Sequence, residues 1–192
     1  MRIGVLALQG AFIEHMTVLE GLDVEAMAVR LPRDLDGLDG LIIPGGESTT
    51  IGKLMDHFKL RAPLAALSRD SFPIFGTCAG MILLARKSTD LPLDTLEAID
   101  LEVRRNAFGR QVDSFQTDLD IPVLGPKPFH AVFIRAPYIE KAGPEVDILA
   151  QLPDGPIVAA RQKNILVSAF HPELTRDTRF HRYFLDIVLG KS

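Results

Sequence analysis

The sequence predicts an α/β protein: a mixed, largely parallel open sheet with helices on both faces and a late antiparallel portion. Three observations predict it. Short apolar runs at 3–8, 24–29 and 38–44 alternate with a stretch of helical spacing, the pattern of a doubly wound sheet. The first run is continuous rather than alternating, as in a strand covered on both faces. Late in the chain, runs at 147–151, 157–161 and 165–169 are separated only by the turn signals Pro153-Asp154-Gly155 and Lys163-Asn164. Spacing that tight leaves no room for crossovers, so these strands pair as hairpins. A length of 192 residues suits a single domain, 1–192.

The elements follow in order. The first strand ends at Gln9-Gly10, and residues 11–20 then put Phe12, Met16 and Leu19 on one helical face. His15 stands among polar neighbours there and reads as solvated; Gly21 can stop the helix. Leu31-Pro32 ends the second strand, and Leu41-Ile42-Ile43 is the heart of the third. Residues 50–58 read as a helix with Ser48 or Thr49 as N-cap and His57 near its end. A shorter helix at 60–68 leads to the strand Pro73-Ile74-Phe75, and a buried helix starts around Met81. Lys87-Ser88-Thr89-Asp90 reads as a polar break. Stretches 96–103 and 110–121 read as strands, 122–128 as a Pro/Gly loop and 129–134 as a strand in which His130 is structural. The final helix spans 175–189, with Phe180, Phe184, Ile187 and Val188 facing the core and His181 at the surface.

Composition narrows the function classes. A net charge of −4 argues against a nucleic-acid partner, which wants a concentrated basic face. A single cysteine rules out an internal disulfide and fits a reducing compartment. The first residues are too short an apolar run for a secretion signal, and no run approaches the ~20 apolar residues of a membrane span. The expectation is a cytoplasmic protein.

Chemistry concentrates in three segments. Gly76-Thr77-Cys78-Ala79-Gly80 sits between a buried strand and a buried helix. Glycines on both sides permit a sharp turn, as in the Gly-x-Ser-x-Gly nucleophile elbow, with cysteine in place of serine. A helix N-terminus also favours a thiolate. An inert buried cysteine is the alternative, and the glycine frame weighs against it. Pro44-Gly45-Gly46-Glu47-Ser48-Thr49-Thr50 follows the third strand. Five residues separate Gly46 from Gly52-Lys53, and Leu54 stands where a P-loop needs a hydroxyl, so that motif is rejected. The segment is either a plain turn or a loop whose N–H groups can meet an oxyanion. His171-Pro172-Glu173 ends the last strand. It is either a strand-end turn or a base with its orienting carboxylate, which a thiol nucleophile needs. The short basic patch 104–110 is a solvated face or a clamp for a carboxylate. No ligand spacing suggests a metal site.

Together the cysteine elbow, the Gly-Gly loop and His-Pro-Glu resemble the class I (triad) glutamine amidotransferases, whose fold is flavodoxin-like. Leu8-Gln9-Gly10, Pro44-Gly45-Gly46-Glu47-Ser48-Thr49-Thr50, Arg105-Asn106-Ala107-Phe108-Gly109-Arg110-Gln111, Phe133-Ile134-Arg135-Ala136-Pro137 and Phe170-His171-Pro172-Glu173-Leu174-Thr175 narrow it further. They resemble the glutaminase subunits of pyridoxal 5′-phosphate synthases over nearly the whole chain. In the stretch that resembles the family least, 88–100, Glu97 stands where the resemblance implies a glycine.

The resemblance implies that Cys78 is the nucleophile, His171 the acid and base, and Glu173 its orienter. Gly46, Glu47, Ser48, Arg105, Ile134 and Arg135 would bind L-glutamine. Gly45, Gly46 and Ala79 would form the oxyanion hole, and Gln9 would lie near the site and the subunit interface. No metal or organic cofactor is implied. The implied partner is a (β/α)8-barrel synthase subunit, within a large hetero-oligomer, that receives the ammonia. Two rival readings use the same residues. One is another cysteine hydrolase, a peptidase or γ-glutamyl hydrolase; the other is a non-catalytic stress or binding protein of related fold.

Overall fold

Four strand ends meet on one side of the sheet, and the order of the strands explains why. A computed structural model of the chain describes residues 1–90, 92–105, 114–153 and 155–192. The first half runs β1 (Arg2–Leu6), α1 (Phe12–Glu20), β2 (Glu25–Val29), β3 (Gly40–Ile43), α2 (Ser48–His57), α3 (Arg61–Arg69), β4 (Ile74–Thr77) and α4 (Ala79–Leu84). Then follow β5 (Ala85–Ser88), β6 (Ile99–Arg104), β7 (Ser114–Leu119), β8 (Phe129–Ile134) and β9 (Tyr138–Ala142). The chain ends with β10 (Asp147–Gln151), β11 (Ile157–Gln162), β12 (Ile165–Ser168) and α5 (Arg179–Val188).

Among the described residues the main sheet has the order β2-β1-β3-β4-β12-β11-β9-β6-β5, with β10 paired to β11. The five strands from β2 to β12 are parallel. β3, β4 and β12 are buried at every position, which is why their sequences are unbroken apolar or small residues. From β1 the chain goes to β2 on one side and later to β3 on the other. That reversal opens a crevice beyond the carboxyl ends of the strands, where open α/β sheets bind ligands. Gln9-Gly10 after β1, Gly45-Gly46 after β3, Cys78 after β4 and His171 after β12 all lie there.

Behind the crevice is an aromatic core. Phe75 of β4 meets Phe180 and Phe184 of α5 at 5.5 and 5.6 Å between ring centroids, and Phe170 meets Phe180 at 5.2 Å. These rings are fully buried, so the site rests on a dry, densely packed floor.

The expected architecture is present, with corrections. The stretch 87–90 is not simply a polar break: Ala85–Ser88 pairs parallel with β6, burying Ala85 and Ser88 at the sheet edge. β9 was not expected, because only Ile139 of Tyr138–Ala142 is buried and Pro137 precedes it. β12 is antiparallel to β11 but parallel to β4, so it joins the two halves of the sheet. The N-cap of α2 is neither Ser48 nor Thr49 but Glu47, whose carboxylate accepts the N–H groups of Thr49 and Thr50. The last helix starts at Arg179, after a 3-10 turn at Pro172–Leu174. His15 and His181, expected at the surface, are both completely buried. Residues 110–113 of the expected strand 110–121 lie outside the described residues. No described helix is long and apolar enough to cross a membrane.

Candidate active site

Cys78 occupies the corner between β4 and α4 with φ 49° and ψ −103°. A positive φ costs a non-glycine residue roughly 1–3 kcal/mol and persists only where the surroundings impose it. Two contacts impose it here. The Cys78 N–H donates to Ser168 O at 2.8 Å, and a Cβ on Gly80 would lie 2.0 Å from Ile43 O. Any larger residue at 80 would push α4 off β3 and open the elbow. The N–H of Ala79, in the first turn of α4, has no intrahelical acceptor and remains available to a ligand.

His171 follows β12, its N–H donating to Val132 O at 2.8 Å. Its Nδ1 lies 2.6 Å from Glu173 Oε1, both side chains being almost wholly buried. With Nδ1 committed, Nε2 is the nitrogen left for the thiol. The Cys78 side chain hydrogen-bonds His171, so the three side chains form one line. Burial alone would lower the His171 pKa. Hydrogen bonds and charge from Cys78 and Glu173 outweigh it and raise the value to about 10. At neutral pH the imidazole is therefore protonated, hydrogen-bonded to the Cys78 side chain.

The Gly45-Gly46 segment wraps this line closely. A Cβ on Gly45 would lie 2.4 Å from His171 Cε1 and 3.2 Å from Cys78 Cβ. Gly45 is needed for that close approach. Its N–H donates to Thr77 Oγ1 at 3.0 Å and its carbonyl accepts from Ala11 N–H at 3.0 Å. In a trans peptide, the Gly46 N–H then points opposite to the Gly45 carbonyl. Gly10, at φ 97°, backs the same peptide so tightly that a Cβ would lie 1.9 Å from Gly45 O. Gln9 Oε1 accepts the Glu47 N–H at 2.8 Å, tying the end of β1 to this loop.

The remaining expected residues divide. Burial would raise the Glu47 carboxyl, but hydrogen bonds from Thr50 and Thr49 overcome it and hold the pKa at about 2. Glu47 is thus an ionised cap of α2, and Arg105 Nη2 approaches it at 3.4 Å. The structure brings Glu47 and Arg105 together. The Ser48 hydroxyl is buried without a hydrogen-bond partner. Ile134 ends β8, the strand tied to His171 through Val132, Arg135 follows it, and both are exposed. Residues 106–110 of the basic patch lie outside the described residues. No described cluster of His, Cys, Asp and Glu could hold a metal ion.

Sequence reasoning missed two residues beside the site. His15 Nε2 lies 3.4 Å from Glu173 Oε2, and His181 Nε2 lies 2.9 Å from His15 Nδ1. The signal was present. His15 is three residues after Phe12 and four before Leu19, on the apolar stripe itself. His181 is next to Phe180 and three before Phe184.

Residues 5–189 match the model of the SNO glutamine amidotransferase family. The chain is 58% identical over 190 residues to the pyridoxal 5′-phosphate synthase subunit PdxT of Herpetosiphon aurantiacus, covering 97% of this chain and all of that one. It is 57% identical over 188 residues to the same subunit of Moorella thermoacetica, covering 98% of this chain and all of that one. A crystal structure of a glutamine amidotransferase superposes with TM-score 0.91 at 48% identity, covering 97% and 98% of the two chains. PurLQS from Thermotoga maritima, at 16% identity, shares the fold with TM-score 0.68, over 98% of this chain and 97% of that one. Since the family match takes in the elbow, the Gly-Gly loop and the His-Pro-Glu turn alike, the chain belongs to the SNO glutamine amidotransferase family.

Proposed function

We propose that this protein is the glutaminase subunit of a pyridoxal 5′-phosphate synthase, hydrolysing L-glutamine and passing the ammonia to a (β/α)8-barrel synthase subunit. The observation that carries the reading is the line Cys78–His171–Glu173 beneath Gly45. The identity to PdxT subunits over full length supports the partner and the pathway. The continuous run of strands supports one domain over 1–192. A thiol that must stay reduced to work supports a cytoplasmic, reducing setting.

The Cys78 thiolate attacks the side-chain amide carbon of glutamine, forming a C–S bond. The amide oxygen becomes an oxyanion, which the N–H groups of Gly46 and Ala79 would stabilise. Protonated His171 gives its proton to the amide nitrogen, the C–N bond breaks and ammonia leaves. A glutamyl thioester remains. The sulfur now carries no charge, so the Cys78 share of what raised the His171 pKa is gone while the Glu173 share remains, and the ring, having given its proton to the departing ammonia, is neutral. Neutral His171 then takes a proton from water as hydroxide attacks the thioester carbon. The C–S bond breaks, glutamate leaves and the thiolate–imidazolium pair returns. Glu173 holds the ring throughout. Gly46, Glu47 and Ser48 would bind glutamine, and Arg105 with Ile134 and Arg135 would hold its amino-acid end; Gln9 would support the loop and face the partner. Every step uses groups of the chain itself.

The experiment supplies the synthase subunit and its sugar phosphates with either glutamine or an ammonium salt. Wild-type chain should support synthesis from both. Cys78→Ala should support it from ammonium alone, and product formed from glutamine with Cys78→Ala would refute the reading.

A further inference from the structure

Glu173 gives one carboxylate oxygen to His171 and keeps the other where water does not reach. Oε2 is buried and has no hydrogen bond of ordinary geometry. A buried charged oxygen left unpaired is costly. It faces His15 Nε2 at 3.4 Å, with both side chains fully buried. The same Nε2 lies 3.2 Å from Thr77 Oγ1, the atom that accepts the Gly45 N–H. On its other edge, His15 Nδ1 meets His181 Nε2 at 2.9 Å. His181 Nδ1 has no partner, so the line of groups ends there.

The contacts select the tautomers. A bare lone pair on His15 Nε2 would oppose the carboxylate, whereas an N–H attracts it. With the proton on Nε2, His15 Nδ1 is an acceptor and His181 must donate from Nε2. His181 Nδ1 is then an unpaired acceptor, which a buried site tolerates better than an unpaired donor. Thr77 Oγ1 has two lone pairs and can accept both the Gly45 N–H and a share of the His15 N–H. Phe75 stands edge-on to both imidazoles, at 6.1 and 5.9 Å, and fixes their planes.

We propose that His15, held in its Nε2–H tautomer by His181, is a positioning residue of the triad, sharing one N–H between Glu173 Oε2 and Thr77 Oγ1. Through these two atoms it keeps the orienting carboxylate and the Gly45 end of the loop in register. The inference rests on the reading of Cys78, His171 and Glu173 as the triad. Neutrality suits the role. Burial first, then the neighbouring His181 and His171, hold the His15 pKa well below 6.5, and burial holds that of His181 at about 4. A neutral N–H steadies Glu173 without competing with the His171 cation for its charge.

The test uses the full chain with its synthase subunit. Nitrogen-15 NMR of the unaltered protein should report His15 protonated on Nε2. His15→Leu should lower kcat about 10–100-fold, by analogy with the loss on removing outer partners of metal-bound histidines, with KM little changed. It should also move the low-field proton shared by His171 and Glu173. His15→Gln, which keeps an N–H donor at similar reach, should restore most of the rate and the proton's position. His15 protonated on Nδ1, or wild-type kcat with an unmoved proton in His15→Leu, would overturn the proposal. Should His15→Leu fail to fold, the tautomer of the unaltered protein decides alone. Glutaminase activity surviving in Cys78→Ala would instead remove the triad reading, a result read independently of the tautomer.

Discussion

Replacing Gly10 with alanine should disable the oxyanion loop without touching the triad. The new Cβ would lie 1.9 Å from Gly45 O, 2.9 Å from Gly45 C and 3.0 Å from Gly46 Cα. Ordinary contact begins near ~3.5 Å, so the Gly45–Gly46 peptide must withdraw by about 1.5 Å or turn over. That peptide carries the Gly46 N–H. A misplacement of about 1 Å costs ~10²-fold, and loss of one oxyanion donor costs about 10²–10³. The expected fall in kcat is therefore about 10²-fold or more. Alanine at φ 97° adds strain of roughly 1–3 kcal/mol, which should appear as a lower Tm. The assay is kcat and KM for glutamine with saturating synthase subunit, together with the alkylation rate of Cys78 by iodoacetamide. Alkylation forms no oxyanion, so it should proceed at the wild-type rate. Wild-type kcat in a folded Gly10→Ala protein would refute the reasoning, because the loop would then tolerate displacement.

Further outcomes follow from the same geometry. Thioester formation needs protonated His171, so single-turnover acylation should be flat through neutral pH and decline only as the pH passes about 10. A decline centred near the ordinary histidine value would show that the raised pKa is wrong. His181 titrates at 6.5 unfolded and at about 4 folded, so the unfolded chain binds the extra proton between them. Stability should be complete above pH 6.5 and fall by about 3 kcal/mol as the pH drops to 4, with His15 adding to the loss. Denaturant titration of His181→Phe should show a shallower fall over that window. Glu97 adopts φ 49° between residues whose N–H groups are held by Leu83 O and Leu84 O. Glu97→Gly should thus raise stability by about 0.5–1 kcal/mol, read as a higher Tm. One backbone hydrogen bond, Ala11 N–H to Gly45 O, ties down the Gly45 carbonyl. A net worth of about 1 kcal/mol holds only weakly the orientation that leaves the Gly46 N–H for the oxyanion, so a docking partner that binds this orientation more tightly should raise kcat/KM when the synthase subunit is added.

The parallel half of the sheet was legible because strands buried on both faces leave unbroken apolar runs, as in Leu41-Ile42-Ile43. The site was legible because the elbow and the Gly-Gly loop need glycine at Gly45, Gly76 and Gly80, whatever the substrate. What escaped was set by long-range contacts. β9 forms because β6 and β11 flank it, although its own sequence is mostly polar. Glu47 caps α2 although Ser48 and Thr49 are the more usual capping types, because its longer side chain reaches two N–H groups at once. His15 and His181 were misread from their immediate neighbours, since the atoms that justify their burial lie 62 to 166 residues away. Glu97 departs from the glycine expected at its position, and its positive φ accounts for that expectation.

The central claim is that glutamine passes through a thioester on Cys78 resolved by His171. The most direct test mixes the chain and its synthase subunit with glutamine, quenches with acid within milliseconds and weighs the peptide carrying Cys78. The account predicts one added glutamyl group, formed and lost at rates consistent with turnover, and absent in Cys78→Ala. Full glutamate release with no adduct on Cys78 at any time would contradict it.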